Sequence, residues 1–208
     1  MKKRLSLLGL SLTLSACFLN PNPDFESPPP SLSLIRRSQW GAHVPVLAMK
    51  KHTLERITLH HSGVAAKKGR DSRELIRKLQ AYSQQAAALG EGKTKPVWAD
   101  LPYHYLIYAN GDIVEGKEWQ YAGDTNTDYD PSGHLLICVD GNFEVEKPTP
   151  EQIASLKVLL RSLTKQHQIL ATQIGAHRDL SETLCPGQNL LPWIYQLREE
   201  LKTKSAQP

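Results

Sequence analysis

The sequence predicts a single α/β domain, a central mixed β-sheet with helices on both faces, and three observations lead there. Tyr103-His104-Tyr105-Leu106-Ile107-Tyr108 and Leu135-Leu136-Ile137-Cys138-Val139 read as strands apolar on both sides, as strands covered from above and below do. Asn110-Gly111, directly after the first of these, is a hairpin signal, so Asp112 to Glu115 is expected to return antiparallel. Stretches of helical period lie between and after the strands. With 208 residues, 40% hydrophobic and 22% charged, the chain is long enough for one domain with a real core and is neither disordered nor fibrous. No internal repeat or second domain is visible.

The chain opens with Met1-Lys2-Lys3-Arg4, an apolar run from Leu5 to Ser15, and Leu14-Ser15-Ala16-Cys17. A basic start, an apolar stretch too short to span a bilayer and small residues before a cut make residues 1–16 a secretory signal. Its ending resembles a bacterial lipobox, which would make Cys17 the lipidated N-terminus of an exported protein anchored to a membrane; the alternative is an ordinary cleaved signal. Phe18 in place of an Asp leans toward the outer membrane in a diderm host. Residues 18–33, with Asn-Pro-Asn-Pro and Pro28-Pro29-Pro30, form a stiff linker that reaches roughly 40 to 50 Å at about 3.1 Å per residue. The folded domain is placed at 34–208. The formal charge of +4 falls to +1 once residues 1–16 are removed, because Lys2, Lys3 and Arg4 leave and no acid does. No basic stripe points to nucleic acid.

Along the domain, Arg56-Ile57-Thr58-Leu59-His60-His61 reads as a strand. Side chains alternate, so Ile57, Leu59 and His61 share one face while Thr58 and His60 share the other. The apolar neighbours turn His61 toward the core and leave His60 on the face where a cleft is possible. Asp71 to about Leu89 is expected to be a helix, with Asp71 and Glu74 as a capping box, Leu75, Leu79 and Tyr82 as its buried stripe, and Gly90 and Gly92 ending it; residues 91–96 are expected to be a loop. Thr149-Pro150-Glu151-Gln152 caps a second helix running to about His167, which buries Ile153, Leu156, Leu160 and Leu163. A final helix carries Leu190, Ile194, Leu197 and Leu201.

Between the last two helices lies Ile174 to Gly187, where His177 and Cys185 stand seven residues apart with no regular pattern between them. A loop can fold both onto one ion. Zinc accepts an imidazole and a thiolate, and a catalytic zinc takes three protein ligands with the fourth position open, so a third ligand must come from elsewhere. Alone, such a pair is more often a surface imidazole and a buried thiol. An oxidising compartment also allows a Cys138–Cys185 disulfide; a free Cys138 in a strand and a metal-bound Cys185 is the reading favoured.

Four separated blocks in this order resemble the zinc-dependent N-acetylmuramoyl-L-alanine amidases of type 2, a domain shared with peptidoglycan recognition proteins and phage amidase-type lysozymes. They are Arg37-Ser38-Gln39-Trp40-Gly41-Ala42; Leu59-His60-His61-Ser62; Tyr103-His104-Tyr105-Leu106-Ile107 with Gly111 to Gly116; and Ala176-His177-Arg178-Asp179 with Thr183-Leu184-Cys185-Pro186-Gly187. The likeness runs from about Leu34 to Leu201. It implies zinc held by His60, His177 and Cys185, a catalytic Tyr103, and an assisting Thr183. The implied reaction is hydrolysis of the amide between N-acetylmuramic acid and L-alanine in peptidoglycan or muropeptides, by a monomer. A lipoprotein that binds peptidoglycan without cutting it is the alternative, and the intact cysteine ligand weighs against it. Trp98, Trp119 and Tyr121 are candidates for stacking on sugar rings. No carboxylate stands out as a general base: Asp124, Asp179 and Glu182 read as loop-solvating or turn-capping, and His61, His104 and His134 as packed or surface histidines. The stretch from about Ala86 to Pro102 looks longer than in compact relatives, and His134 stands where a small polar residue is common.

Overall fold

The computed structural model describes residues 34–90 and 92–205; the leader, Cys17 and the Pro-rich linker lie outside the described residues. In chain order the elements are β1 (Leu34–Ile35), α1 (Arg37–Trp40), β2 (Arg56–His61), α2 (Ser72–Ser83), β3 (Ala87–Gly90) and β4 (Lys93–Lys95). There follow β5 (Tyr105–Ile107), β6 (Ile113–Glu115), β7 (His134–Val139), α3 (Pro150–His167), β8 (Ile174–Ala176) and α4 (Leu191–Ser205). Six strands form one sheet in the order β1-β6-β5-β7-β2-β8. All its pairs are parallel except β5 with β6, the hairpin turned at Asn110-Gly111. The expected mixed sheet is therefore present.

Alternation along the strands divides the core in two. Ile57 and Leu59 of β2, Ile107 of β5, Leu135, Ile137 and Val139 of β7 and Ile174 of β8 pack against Leu156, Leu160 and Leu163 of α3 and Ile194 and Leu197 of α4. On the other face Leu106, Tyr108, Val114 and Cys138 meet Trp40 of α1, Ile76 of α2 and Leu101. Helices thus cover both faces. The second cluster draws on β5, β6 and β7 but on no residue of β2 or β8, and this is the side to which Thr58 and His60 project. Among the described residues no helix is long and apolar enough to cross a membrane.

Helix α3 starts as its sequence requires. Thr149 Oγ1 accepts from Gln152 N–H at 3.1 Å, Gln152 Oε1 accepts from Thr149 N–H at 3.0 Å, and Pro150 occupies the first turn. Helix α2 departs from expectation. It ends at Ser83, residues 87–95 form a two-stranded antiparallel hairpin, and the buried positions are Ser72, Ile76, Gln80 and Ser83, with Tyr82 exposed. Asp71 caps Arg73 N–H alone at 3.0 Å, while Glu74 pairs with Arg70 and Lys78. The cause is the fully buried Lys95, whose ammonium donates to the carbonyls of Ser83, Gln85 and Pro96 and lies 4.5 Å from the Trp98 ring. These carbonyls are drawn out of any continued helix, and a charge buried so deeply needs such partners. Gln80 is buried for a similar reason, bonding the His43 backbone and Asp100 Oδ1.

His104, just before β5, ties two layers together. Its Nδ1 accepts from Leu136 N–H at 2.8 Å and its Nε2 donates to the Tyr121 carbonyl at 2.9 Å, which fixes the neutral Nε2–H tautomer. Burial drives its pKa down to about 3. Because the unfolded imidazole titrates near its ordinary value of about 6.5, the unfolded chain binds more protons between these values. This stabilisation is complete above about pH 6.5 and is lost as pH falls toward 3, at up to about 1.4 kcal/mol per unit. His104→Ala is expected to lower stability by about 2–4 kcal/mol at pH 7, leaving a buried donor and acceptor unpaired. Denaturant titrations from pH 7 to 4 should show a shallower pH dependence for the variant, and a slope as steep as the parent's would contradict the assignment.

Candidate metal centre

Three segments bring three ligand-capable side chains to one place. His60 projects from β2 on the face that carries α1 and α2, at the strand those helices do not reach, and is buried. His61, one residue on, points the other way, where Nδ1 accepts from Phe143 N–H at 3.3 Å. Strand β8 pairs in parallel with β2, Leu59 opposite Ala176, so His177, the next residue, emerges beside His60. Their ring centroids are 4.5 Å apart. The turn carrying His177 is pinned by Asp179, whose Oδ2 accepts from Ala176 N–H at 2.8 Å and whose Oδ1 accepts from Tyr195 O–H at 2.6 Å.

The returning loop delivers Cys185. Arg178 N–H donates to the Cys185 carbonyl at 3.0 Å, and the Arg178 guanidinium donates to the Leu184 carbonyl at 2.6 Å and to Glu144 at 3.3 Å. Thr183 Oγ1 accepts from Cys185 N–H at 3.2 Å. The loop closes through a cis Cys185–Pro186 bond onto Gly187, whose φ is +91° and where a Cβ would stand 2.4 Å from the Phe143 backbone. Only glycine fits there on both counts. Cys185 and Cys138 are both free thiols.

The candidate ligand atoms of His60, His177 and Cys185 all lie within 4.8 Å of one another. Cys185 Sγ is 3.7 Å from His60 Nδ1 and accepts from His61 N–H at 3.3 Å. His177 Nδ1 is buried with no hydrogen-bond partner, whereas its Nε2 is 2.8 Å from Thr127 Oγ1. A buried nitrogen left unpaired is costly, and a cation at this point would supply its partner. Burial, followed by the neighbouring His177, holds the His60 pKa well below its ordinary value, and burial takes His177 to about 4. Both rings are therefore neutral, as metal ligands must be. Burial pushes the Cys185 thiol up to about 12, so thiolate at neutral pH calls for a positive charge beside it. Two imidazoles and a thiolate suit a zinc-type ion with one position left open.

Tyr103 stands beside this group, its ring centroid 5.3 Å from that of His60. Burial holds its phenol well above the ordinary pKa, with Cys138 and Cys185 adding to the effect. Thr127 and Tyr129 were not legible as site residues in the sequence, yet Tyr129 O–H lies 3.3 Å from His60 Nε2. The one available signal was the alternation of hydroxyls at 125, 127 and 129 with the exposed Asn126, Asp128 and Asp130.

The aromatic candidates make their contacts elsewhere. Trp98 is buried against Lys95, Trp119 stands edge-on to His167 at 4.8 Å, and Tyr121 bridges to Lys51 through its backbone. Asp124 pairs with the buried Lys117 at 2.5 Å, Asp179 caps its turn, and Glu182 is exposed. His134 is buried and its Nδ1 meets Thr58 Oγ1 at 2.8 Å.

Comparison with known proteins speaks to the family and the fold. The family described as "Amidase_2: N-acetylmuramoyl-L-alanine amidase" matches residues 50–188. Peptidoglycan-recognition protein SD of Drosophila simulans is 29% identical over 171 residues, covering 78% of this chain and 84% of the relative. The crystal structure of Drosophila peptidoglycan recognition protein SD superposes with a TM-score of 0.66 at 28% identity, covering 80% of this chain and 95% of that one. N-acetylmuramoyl-L-alanine amidase LysC from Clostridium intestinale shares the fold, with a TM-score of 0.63 at 23% identity over 84% of this chain and 98% of its own.

Replacing Gly187 by Ala forces the Cys185 loop off the Phe143 backbone. We expect Gly187→Ala to lower stability by about 1–3 kcal/mol, from the cost of a strained backbone position. Thermal and denaturant unfolding check this, and an unchanged midpoint would show that the loop does not rest on Phe143.

Proposed function

Because the chain belongs to the Amidase_2 family of N-acetylmuramoyl-L-alanine amidases, we propose that it hydrolyses the amide joining N-acetylmuramic acid to L-alanine in peptidoglycan or its fragments, with zinc held by His60, His177 and Cys185. The reading rests above all on three ligand atoms within 4.8 Å of one another, beside a tyrosine whose burial keeps it protonated.

When bound at such a site, zinc polarises the amide carbonyl and brings the pKa of water toward about 7. We assign to Tyr103, a neutral O–H donor, a hydrogen bond to the oxyanion that develops as water adds to the carbonyl carbon. Thr183 Oγ1 already accepts from the Cys185 backbone, so its own proton is free to donate to the substrate carbonyl. The C–N bond then breaks, and the amine leaves with a proton that came from the added water. The products are the glycan, whose muramic acid now bears a free lactyl carboxylate, and a stem peptide with a free L-alanine amine. Trp98, Trp119 and Tyr121 stay candidates for stacking on sugar rings; Trp119 is exposed, Tyr121 half-buried and Trp98 buried.

We read residues 1–17 as a lipoprotein signal ending in an acylated Cys17, which would tether a monomeric enzyme to the outer membrane facing the periplasm. Acyl chains anchor stably when more than one is present, and the linker lets the domain reach the wall. The rival reading is a module that binds peptidoglycan without cutting it, and the names of relatives such as peptidoglycan-recognition protein SD favour it.

Purified full chain incubated with peptidoglycan and zinc separates the two, with released material read by mass spectrometry. The amidase reading expects stem peptides with an unblocked L-alanine and uncut glycan. It expects Cys185→Ala to lose both zinc and release, and Tyr103→Phe to lose about 100- to 1,000-fold in kcat, the cost of one oxyanion donor. Binding to the wall with no release at any zinc level would make the protein a recognition module.

A further inference from the structure

We propose that the segment from Thr125 to Tyr129 is a clamp that positions both metal-ligating histidines through their far ring nitrogens. This rests on the metal site proposed above and concerns residues that the family resemblance did not single out.

His60 Nδ1 faces Cys185 Sγ and His177 Nδ1 is the buried nitrogen without a partner, so Nδ1 is the ligating atom on each ring. Both Nε2 atoms then point away from the ion, and both meet hydroxyls from the same short segment. His177 Nε2 is 2.8 Å from Thr127 Oγ1 and His60 Nε2 is 3.3 Å from Tyr129 Oη. An imidazole that binds through Nδ1 carries its proton on Nε2, and the hydrogen bond made there sets tautomer, ring angle and basicity.

The proton directions are consistent along the segment. His177 Nε2–H donates to Thr127 Oγ1, whose own proton can pass to Thr125 Oγ1 at 2.9 Å, and Thr125 Oγ1 also accepts from Thr127 N–H at 3.1 Å. The Tyr129 ring is wedged among histidines, with centroids 5.0 Å from His177 and 5.4 Å from His134.

The segment is held at both ends, as a clamp must be. At one end Asp124 is paired with the buried Lys117, and its N–H reaches the Pro102 carbonyl at 3.4 Å, next to Tyr103. At the other, Asp130 Oδ1 accepts from Ser132 N–H and Gly133 N–H donates to His52 Nδ1, each at 2.9 Å. Thr127 and Tyr129 are therefore positioning residues, acting on the ion through the two rings.

The test uses full chain with Thr127→Val, Thr127→Ser and Tyr129→Phe. Zinc affinity is measured by competition with a chromophoric chelator, histidine tautomers by long-range 1H–15N spectra of the zinc-loaded protein, and fold by melting of the zinc-free protein. We expect Thr127→Val and Tyr129→Phe each to weaken zinc binding roughly 10- to 100-fold, the usual effect of losing such a partner. Zinc-free melting should be unaltered, Thr127→Ser should restore most of the affinity, and the parent should show both ligating rings protonated at Nε2. Unchanged affinity in Thr127→Val and Tyr129→Phe, or metal found on Nε2, overturns the clamp while leaving the zinc site standing. A parent that takes up no zinc overturns both.

Discussion

The parallel pairing of β2 with β8 is the constraint on which the site depends. With Leu59 opposite Ala176, His60 on β2 and His177 at the start of the turn after β8 are set side by side. The strand pairing sets where the two backbones lie, and the Asp179 bonds to Ala176 N–H and Tyr195 O–H hold the turn that carries His177. Every other group at the centre is referred to this pair. The Cys185 loop folds back onto Arg178, the Asp179 carboxylate locks the turn between, and the 125–129 segment closes over the rings from the far side.

The environment explains why the ionisable groups gathered here stay uncharged. Two histidines, two tyrosines and a cysteine share a largely buried space, and burial drives each toward its neutral form. A set of neutral donors around an unpartnered nitrogen is an unfavourable use of core volume unless a cation binds there. The same burial is useful to Tyr103, since a phenol kept protonated can donate a hydrogen bond. Thr183 gains its proton's freedom in a different way, by accepting from the backbone of its own loop.

How much of this was legible in the sequence follows from the range of the interactions involved. The two apolar strands, the Asn110-Gly111 hairpin and the Thr149 capping box rest on neighbours within a few residues, and each is present in the structure. The choice of His60 over His61 rested on alternation and on the apolar neighbours that share a face with His61, and the two side chains do point to opposite faces. Helix α2 misled because its last turns are decided from outside: Lys95 takes the carbonyls of Ser83 and Gln85, and no local propensity of Gln85-Ala86-Ala87-Ala88-Leu89 reveals that. Thr127 and Tyr129 escaped notice for a similar reason. Their partners lie 50 and 69 residues away, and hydroxyls in a polar loop look the same whether or not they hold a histidine.

X-ray absorption at the zinc edge of the metal-loaded full chain tests the central claim most directly, because it reports on the ligand set without any substrate. The account predicts one sulfur at about 2.3 Å and two imidazole nitrogens at about 2.0 to 2.1 Å, with one further light atom completing the shell. A spectrum without sulfur, or one with four protein ligands and no open position, would contradict it.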